Sequence, residues 1–174
     1  SEKFSHFKGL EAAIEALLTR GLWSTENLVW ELRHGSFLET IEAEVQRPHL
    51  VFFDPYSPNV NQEMWTTECF KKIRQISREP QDGGTSLFTY SQATRIRVAL
   101  IVAGFFVGFG QSTGLKAQTT EAATGFSQLK SPLDRTWFNR WQRSDARYPF
   151  DCTSEQQAQV DKQVESYFSN SSIA

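Results

Sequence analysis

The chain has 174 residues, enough for a domain with its own core, and a formal charge of −2 that excludes polyanion binding by bulk charge. Two cysteines and three scattered histidines show neither a disulfide framework nor metal-ligand spacing, so no metal is expected. No apolar run approaches the roughly 20 residues of a membrane span, and no leader is read, so a reducing, cytoplasmic setting is expected.

In chain order, Leu10, Ala13, Ile14, Leu17 and Leu18 have the spacing of an amphipathic helix. Leu28, Trp30 and Leu32 alternate with polar residues, which predicts a strand over 27–33, ended by His34-Gly35. Ser36-Phe37-Leu38-Glu39 has capping-box spacing and predicts a helix start. His49 to Phe53 reads as a buried strand. Residues 62–76 read as a helix burying Trp65, Cys69, Phe70 and Ile73. Asp82-Gly83-Gly84 is a turn, Thr85 to Tyr90 a strand, and Ala93 to Ala103 a helix stopped by Gly104. Phe105 to Phe109 is a short strand. A loop with Gly108, Gly110 and Gly114 leads to a last strand, Lys116 to Ala123. Residues 126–150 form a basic, aromatic extension with a short helix. Residues 154–168 form a polar helix, with a frayed tail from Ser169. Two domains are expected, 1–125 and the extension 126–174.

Alternating strands and helices predict a parallel, doubly wound α/β sheet, and the short last loop predicts a terminal antiparallel pair. Charge is uneven along the chain. Residues 1–45 carry 4 Lys/Arg against 8 Asp/Glu. Residues 126–149 carry Lys130, Arg135, Arg140, Arg143 and Arg147 against Asp134 and Asp145. This basic stretch, with Arg140 near its centre, is a candidate for RNA phosphate. A solvated helix face accounts for it equally well. Trp137 and Trp141, four apart, are expected to share a buried face.

The most informative stretch is Val51-Phe52-Phe53-Asp54-Pro55-Tyr56-Ser57-Pro58, followed by Asn61 and Met64-Trp65. An apolar strand ends in an acid and then a proline-bracketed aromatic turn. Such a strand delivers a carboxylate to the carboxyl edge of a sheet, where open α/β folds bind ligands. Asp54 is the first candidate for chemistry. A carboxylate there can accept a hydrogen bond from an amine and steady the positive charge that develops on it. Tyr56 can stack on a base or meet a cationic centre. Thr89, Tyr90 and Ser91 end a strand at the same edge.

The block Asp54-Pro-Tyr-Ser-Pro58, Asn61 and Glu63-Met64-Trp65 resembles a motif of the methyltransferase domain of bacterial tRNA 5-methylaminomethyl-2-thiouridine biosynthesis proteins. Glu2-Lys3-Phe4, His34-Gly35-Ser36, Gly83-Gly84-Thr85 through Ser91, Ala103-Gly104-Phe105, Gly108-Phe109-Gly110 and Lys116 follow that family's order. The likeness covers roughly residues 1–124. It implies a Rossmann-like class I methyltransferase sheet, mostly parallel with an antiparallel last strand. It implies S-adenosyl-L-methionine as cofactor and methyl transfer to the amine of 5-aminomethyl-uridine at the tRNA wobble position. Glu2, Gly35, Ser36 and Asp54 are then expected at the cofactor. Asp54 and Tyr56 are expected at the chemistry, and Ser57, Pro58, Asn61, Ser91, Lys116 and Arg140 toward substrate.

The chain departs from the family in three ways. The family's glycine-rich cofactor loop and first strands have no counterpart, so a C-terminal fragment, partnered by a missing N-terminal segment, is expected. Ser36 stands where an acid is expected. Pro55 stands where glycine is common, which makes Asp54-Pro55-Tyr56 similar to the motif of nucleic-acid amino-methyltransferases. Two alternatives stay open: another amine substrate, either a small molecule or a nucleic-acid base, and a non-catalytic binding module.

Overall fold

The computed structural model describes residues 8–112 and 118–169. Glu2, Lys116 and the tail from Asn170 lie outside the described residues. The chain divides into two compact units, residues 1–43 and 44–174.

In the first unit, helix α1 spans Glu11–Arg20. The Glu11 carboxylate accepts the Gly9 N–H at 2.8 Å. Gly21, at φ +70°, closes the helix by donating its N–H to the Leu17 carbonyl. Ala13 and Ala16 are buried, whereas Leu18 is exposed. The strand expected over 27–33 is shorter and belongs to a local hairpin. Strands β1 (Leu22–Ser24) and β2 (Val29–Glu31) pair antiparallel, with Trp23 opposite Trp30. Their rings lie 5.9 Å apart, and the Thr25 N–H to Leu28 carbonyl bond closes the turn at 2.8 Å. That turn has neither glycine nor proline, which is why the sequence hid it. The neighbour of β2 is thus the segment just upstream. Helix α2 is one turn, Phe37–Thr40, continued by a 3-10 turn over Ile41–Ala43. Ser36 makes no side-chain capping bond. Its carbonyl instead accepts the N–H groups of Glu39 and Thr40.

The second unit holds a four-stranded sheet: β3 (Leu50–Phe52), β4 (Ser86–Thr89), β5 (Phe106–Gly110) and β6 (Thr119–Ala123). The spatial order is β3-β4-β6-β5. β3 and β4 are parallel, joined through helix α3 (Thr67–Ile76). Helix α4 (Thr94–Val102) connects β4 to β5. β6 runs antiparallel between β4 and β5. The antiparallel end pair is therefore as expected.

Trp65, Cys69, Phe70 and Ile73 are buried as their spacing predicts. The helix nevertheless breaks at Thr66. Residues Gln62–Trp65 form a 3-10 turn, and Thr66 in extended conformation caps α3 by accepting the Cys69 N–H. Burial pushes the Cys69 thiol up to about 12, so it is an inert packing group. The Asp151 carboxylate adds a second cap from 83–84 residues downstream, accepting the Thr67 N–H at 2.9 Å and the Glu68 N–H at 3.2 Å.

The C-terminal segment packs on the same sheet. Helix α5 (Arg135–Gln142) is capped by Asp134 and buries Trp137, Phe138 and Trp141. Phe168 of helix α6 (Gln157–Ser169) lies 5.0 Å from Phe138 and 5.8 Å from Trp137. The outer edge of β5 is closed rather than bare. The Phe109 N–H donates to Ser131 and the Leu133 N–H to Val107. The Tyr167 hydroxyl accepts the Val107 N–H at 2.8 Å. Such covering removes a template for edge-to-edge aggregation.

Asp151→Ala is expected to cost about 1 kcal/mol, the usual worth of a helix cap, read as a lower urea midpoint at unchanged slope. An unchanged midpoint would contradict the capping role.

Candidate active site

Asp54 lies one residue beyond β3, after Phe53. The Phe53 N–H donates to the Phe88 carbonyl at 2.8 Å, extending the ladder to the last residue before the acid. Phe53 is itself buried against Trp65 and Phe70, at ring separations of 5.6 and 5.4 Å. Beyond Asp54 the chain turns, and the Trp65 indole N–H donates to the Tyr56 carbonyl at 2.8 Å. The Ser57 carbonyl then accepts the N–H groups of Val60 and Asn61. The carboxylate therefore sits on a turn tied at both ends, with the Asp54 side chain exposed at the carboxyl edge.

Two cavities meet at Asp54 and Tyr90. The larger, about 540 Å³, has Phe52, Phe88 and Tyr90 as aromatic lining and Glu121, Thr119 and Lys130 as polar groups. The smaller, about 350 Å³, brings together Asp54, Pro55, Ser57, Pro58, Tyr90 and Ser91. Of the residues expected from sequence, Asp54, Ser57, Pro58 and Ser91 thus share one place. Tyr56 borders neither cavity and is 77% exposed. The Asn61 amide faces the Glu63 carboxylate. Arg140 is exposed on α5 and lines neither cavity. Gly35 and Ser36 belong to the first unit, where Gly35, at φ +134°, makes the turn before α2. Glu2 and Lys116 lie outside the described residues.

The Gly83-Gly84-Thr85 motif is architectural. Gly84, at φ +65°, has no room for a Cβ beside the Gln128 amide. The Thr85 hydroxyl accepts the Arg78 N–H at 2.8 Å and donates to the Pro48 carbonyl.

Arg97 and Glu121 were not among the site residues expected from sequence. Arg97, within α4, is 3% exposed. Its guanidinium donates to the Thr120 hydroxyl and the Thr119 carbonyl, both at 3.0 Å, and lies over the Phe109 ring. The Thr120 hydroxyl donates in turn to the Ser91 carbonyl at 2.6 Å. Arg97 thereby fixes the turn that carries Ser91. Burial draws its guanidinium down to about 10, so it stays charged at neutral pH. Glu121, in the middle of β6, is 6% exposed, and Lys130 lines the same cavity. Burial holds the Glu121 carboxyl above the usual carboxylate range, partly countered by the charge and the N–H of Lys130. An available signal was the alternation Thr119, Glu121, Ala123, which sets the acid on one face of a strand.

The chain belongs to the S-adenosyl-L-methionine-dependent methyltransferases, whose family model matches residues 18–125. It is 28% identical over 136 residues to the tRNA 5-methylaminomethyl-2-thiouridine biosynthesis bifunctional protein MnmC of Ectopseudomonas mendocina, covering 78% of this chain and 19% of the relative. It is 32% identical over 114 residues to the protein of the same name from Campylobacter concisus, covering 66% and 17%. The chain thus spans less than a fifth of these curated relatives. The crystal structure of MNMC2 from Aquifex aeolicus superposes with a TM-score of 0.69 at 20% identity, over 97% of this chain and 52% of that one. The fold is the Rossmann-like methyltransferase sheet that the sequence order implied.

The donor set fits part of such a cofactor. An exposed carboxylate beside aromatic rings suits the neighbourhood of a sulfonium methyl. Among the described residues no glycine-rich turn follows a strand of the four-stranded sheet to cradle the nucleotide.

Two outcomes are expected. Arg97→Ala removes two charge-assisted bonds and packing, and is expected to cost roughly 3 kcal/mol; a denaturation midpoint within error of wild type would contradict this. Glu121 titrates above its unfolded value, so its ionisation opposes folding. Its contribution is intact below the ordinary carboxylate range and lost as pH rises through its folded pKa. Glu121→Gln should therefore gain stability over wild type as pH rises through that window, and a parallel pair of pH–stability curves would contradict it.

Proposed function

We propose that the protein carrying this chain is an N-methyltransferase that acts on the aminomethyl group of a modified wobble uridine in tRNA. The observation that chiefly supports this is the position of Asp54, on a tied turn at the carboxyl end of β3 where two cavities meet. The family membership and the names of the relatives point the same way.

The bound cofactor supplies an electrophilic methyl group. The chain's task is then to hold a neutral amine in line with it. Asp54 accepts a hydrogen bond from the amine N–H, which orients the lone pair and steadies the charge that develops on nitrogen. The exposed ring of Tyr56 stacks on the base. Ser57, Pro58, Asn61 and Ser91 shape the entrance around it. Arg140, exposed on α5, meets tRNA phosphate, and Lys116 contributes from outside the described residues. Glu2, Gly35 and Ser36 serve the cofactor.

Tyr56 is also the base of a turn, so its carbonyl bond to Trp65 lets the ring project while the backbone stays fixed. An N-terminal segment of the same protein completes the sheet and supplies the cofactor loop. Two facts favour that partner. Among the described strands β3 pairs only with β4, and the face of β3 that carries Leu50 and Phe52 is exposed. About half of the Aquifex chain lies beyond the match. The setting is the cytoplasm, where the tRNA is.

In the complete protein, Asp54→Asn is expected to lower kcat on tRNA bearing 5-aminomethyl-uridine by about 100-fold or more, with an unchanged melting temperature. Turnover near wild type would refute the role. Arg140→Ala should weaken tRNA binding and reduce the slope of log affinity against log salt by about 1. An unchanged slope would remove Arg140 from the interface.

A further inference from the structure

Register across the sheet puts four residues in one row. Phe52 lies opposite Phe88, Phe88 opposite Glu121, and Glu121 opposite Gly108. In-register neighbours share a face of a sheet, so the acid stands directly beside Phe88, with Phe52 one strand further along the row. The Phe52 and Phe88 rings are 6.1 Å apart. At the far end of the row the chain crosses Gly108 so closely that a Cβ there would lie 2.6 Å from the Ser131 carbonyl oxygen. The row is closed at its Gly108 end and hollow over Phe52, Phe88 and Glu121, where the 540 Å³ cavity lies.

Glu121 is out of place by ordinary folding logic. Its side chain is nearly buried, and among the described residues it forms no ion pair. A backbone N–H from Lys130 reaches it, and the Lys130 side chain itself is exposed at the cavity. A strand with threonine and alanine on either side needs no carboxylate for packing. Burying one costs stability unless something repays the lost hydration. The repayment fits a ligand that is flat at one end and cationic at the other. The rings of Phe52, Phe88 and Tyr90 give the flat part a wall. Glu121 at the floor and Asp54 at the mouth leave the cavity with two carboxylates against one lysine.

We infer that Glu121 is a substrate-recognition residue, the carboxylate by which this cavity selects a primary ammonium group carried on a planar ring over its neutral counterparts. The inference rests on the proposed function only for the identity of the molecule that carries the amine. The selection of charge rests on the cavity alone. Selection precedes chemistry: the ammonium leaves Glu121, gives its proton to solvent and meets Asp54 as the neutral amine. A purely structural Glu121 would instead stabilise the fold and leave ligand choice untouched.

The test uses the complete protein, with benzylamine and benzyl alcohol as probes, titrated by NMR at neutral pH beside thermal melts and cofactor affinity. Wild type is expected to bind benzylamine about 10-fold more tightly than benzyl alcohol, the scale of one charge-assisted bond. Glu121→Gln should erase that preference, keep cofactor affinity within about twofold, and melt no lower than wild type. Glu121→Asp, which keeps the charge one methylene further back, should retain part of the preference. Glu121→Gln that keeps the preference would overturn the inference. So would Glu121→Gln and Glu121→Asp that behave alike, a comparison that stands even if one variant is less stable. Wild-type protein that prefers benzylamine yet methylates no tRNA would refute the proposed function and support the inference. Methylation without any amine preference would do the reverse.

Discussion

The hydrogen bond from the Trp65 indole to the Tyr56 carbonyl is the constraint on which the site depends. One side of that indole faces Phe53, the last residue of the β3 run before the acid. Its N–H closes the turn that follows. A single buried side chain thus fixes both sides of Asp54, while Asp54 itself stays exposed. Phe70 backs Phe53 from α3, and Asp151 and Thr66 cap that helix where it leaves the Trp65 turn. Among the described residues the carboxylate is held by packing rather than by a bond of its own, which leaves its oxygens available to a ligand.

The second unit handles its two sheet edges differently. At β5, residues 131–133 and the Tyr167 hydroxyl satisfy the outer backbone groups. At β3, no described strand pairs on the outer side. The open side is the side of Asp54. Above β4 the buried Arg97 holds Thr119 and Thr120, and Thr120 holds Ser91, so the second wall of the site is set by a charge inside the core.

Much of this was legible in the residues because it is periodic or punctuated. The burial of Trp65, Cys69, Phe70 and Ile73 follows from helical spacing, and that of Trp137 and Trp141 from a separation of four. Asp54 stands out because an apolar run ends in an acid before two prolines. Other features depended on contacts distant in sequence. The 22–31 hairpin has no glycine or proline to announce its turn, and β2 reads alone like a sheet strand. The break at Thr66 arises because a threonine prefers to cap α3 rather than continue a helix. Arg97 falls inside the helix expected over 93–103, but what fixes it are Thr119 and Thr120, 22 and 23 residues away. Glu121 received no role from sequence, because its neighbours depend on where β6 is inserted. That insertion alone gives it Phe88 and Gly108 as neighbours.

The most direct measurement is a crystal structure of the complete protein with demethylated cofactor and a tRNA anticodon stem-loop bearing 5-aminomethyl-uridine. The account predicts the amine nitrogen within hydrogen-bond reach of an Asp54 carboxylate oxygen, about 2.6–3.2 Å, with the uracil beside the aromatic lining of the two cavities. An amine bound elsewhere, with Asp54 facing solvent, would contradict it.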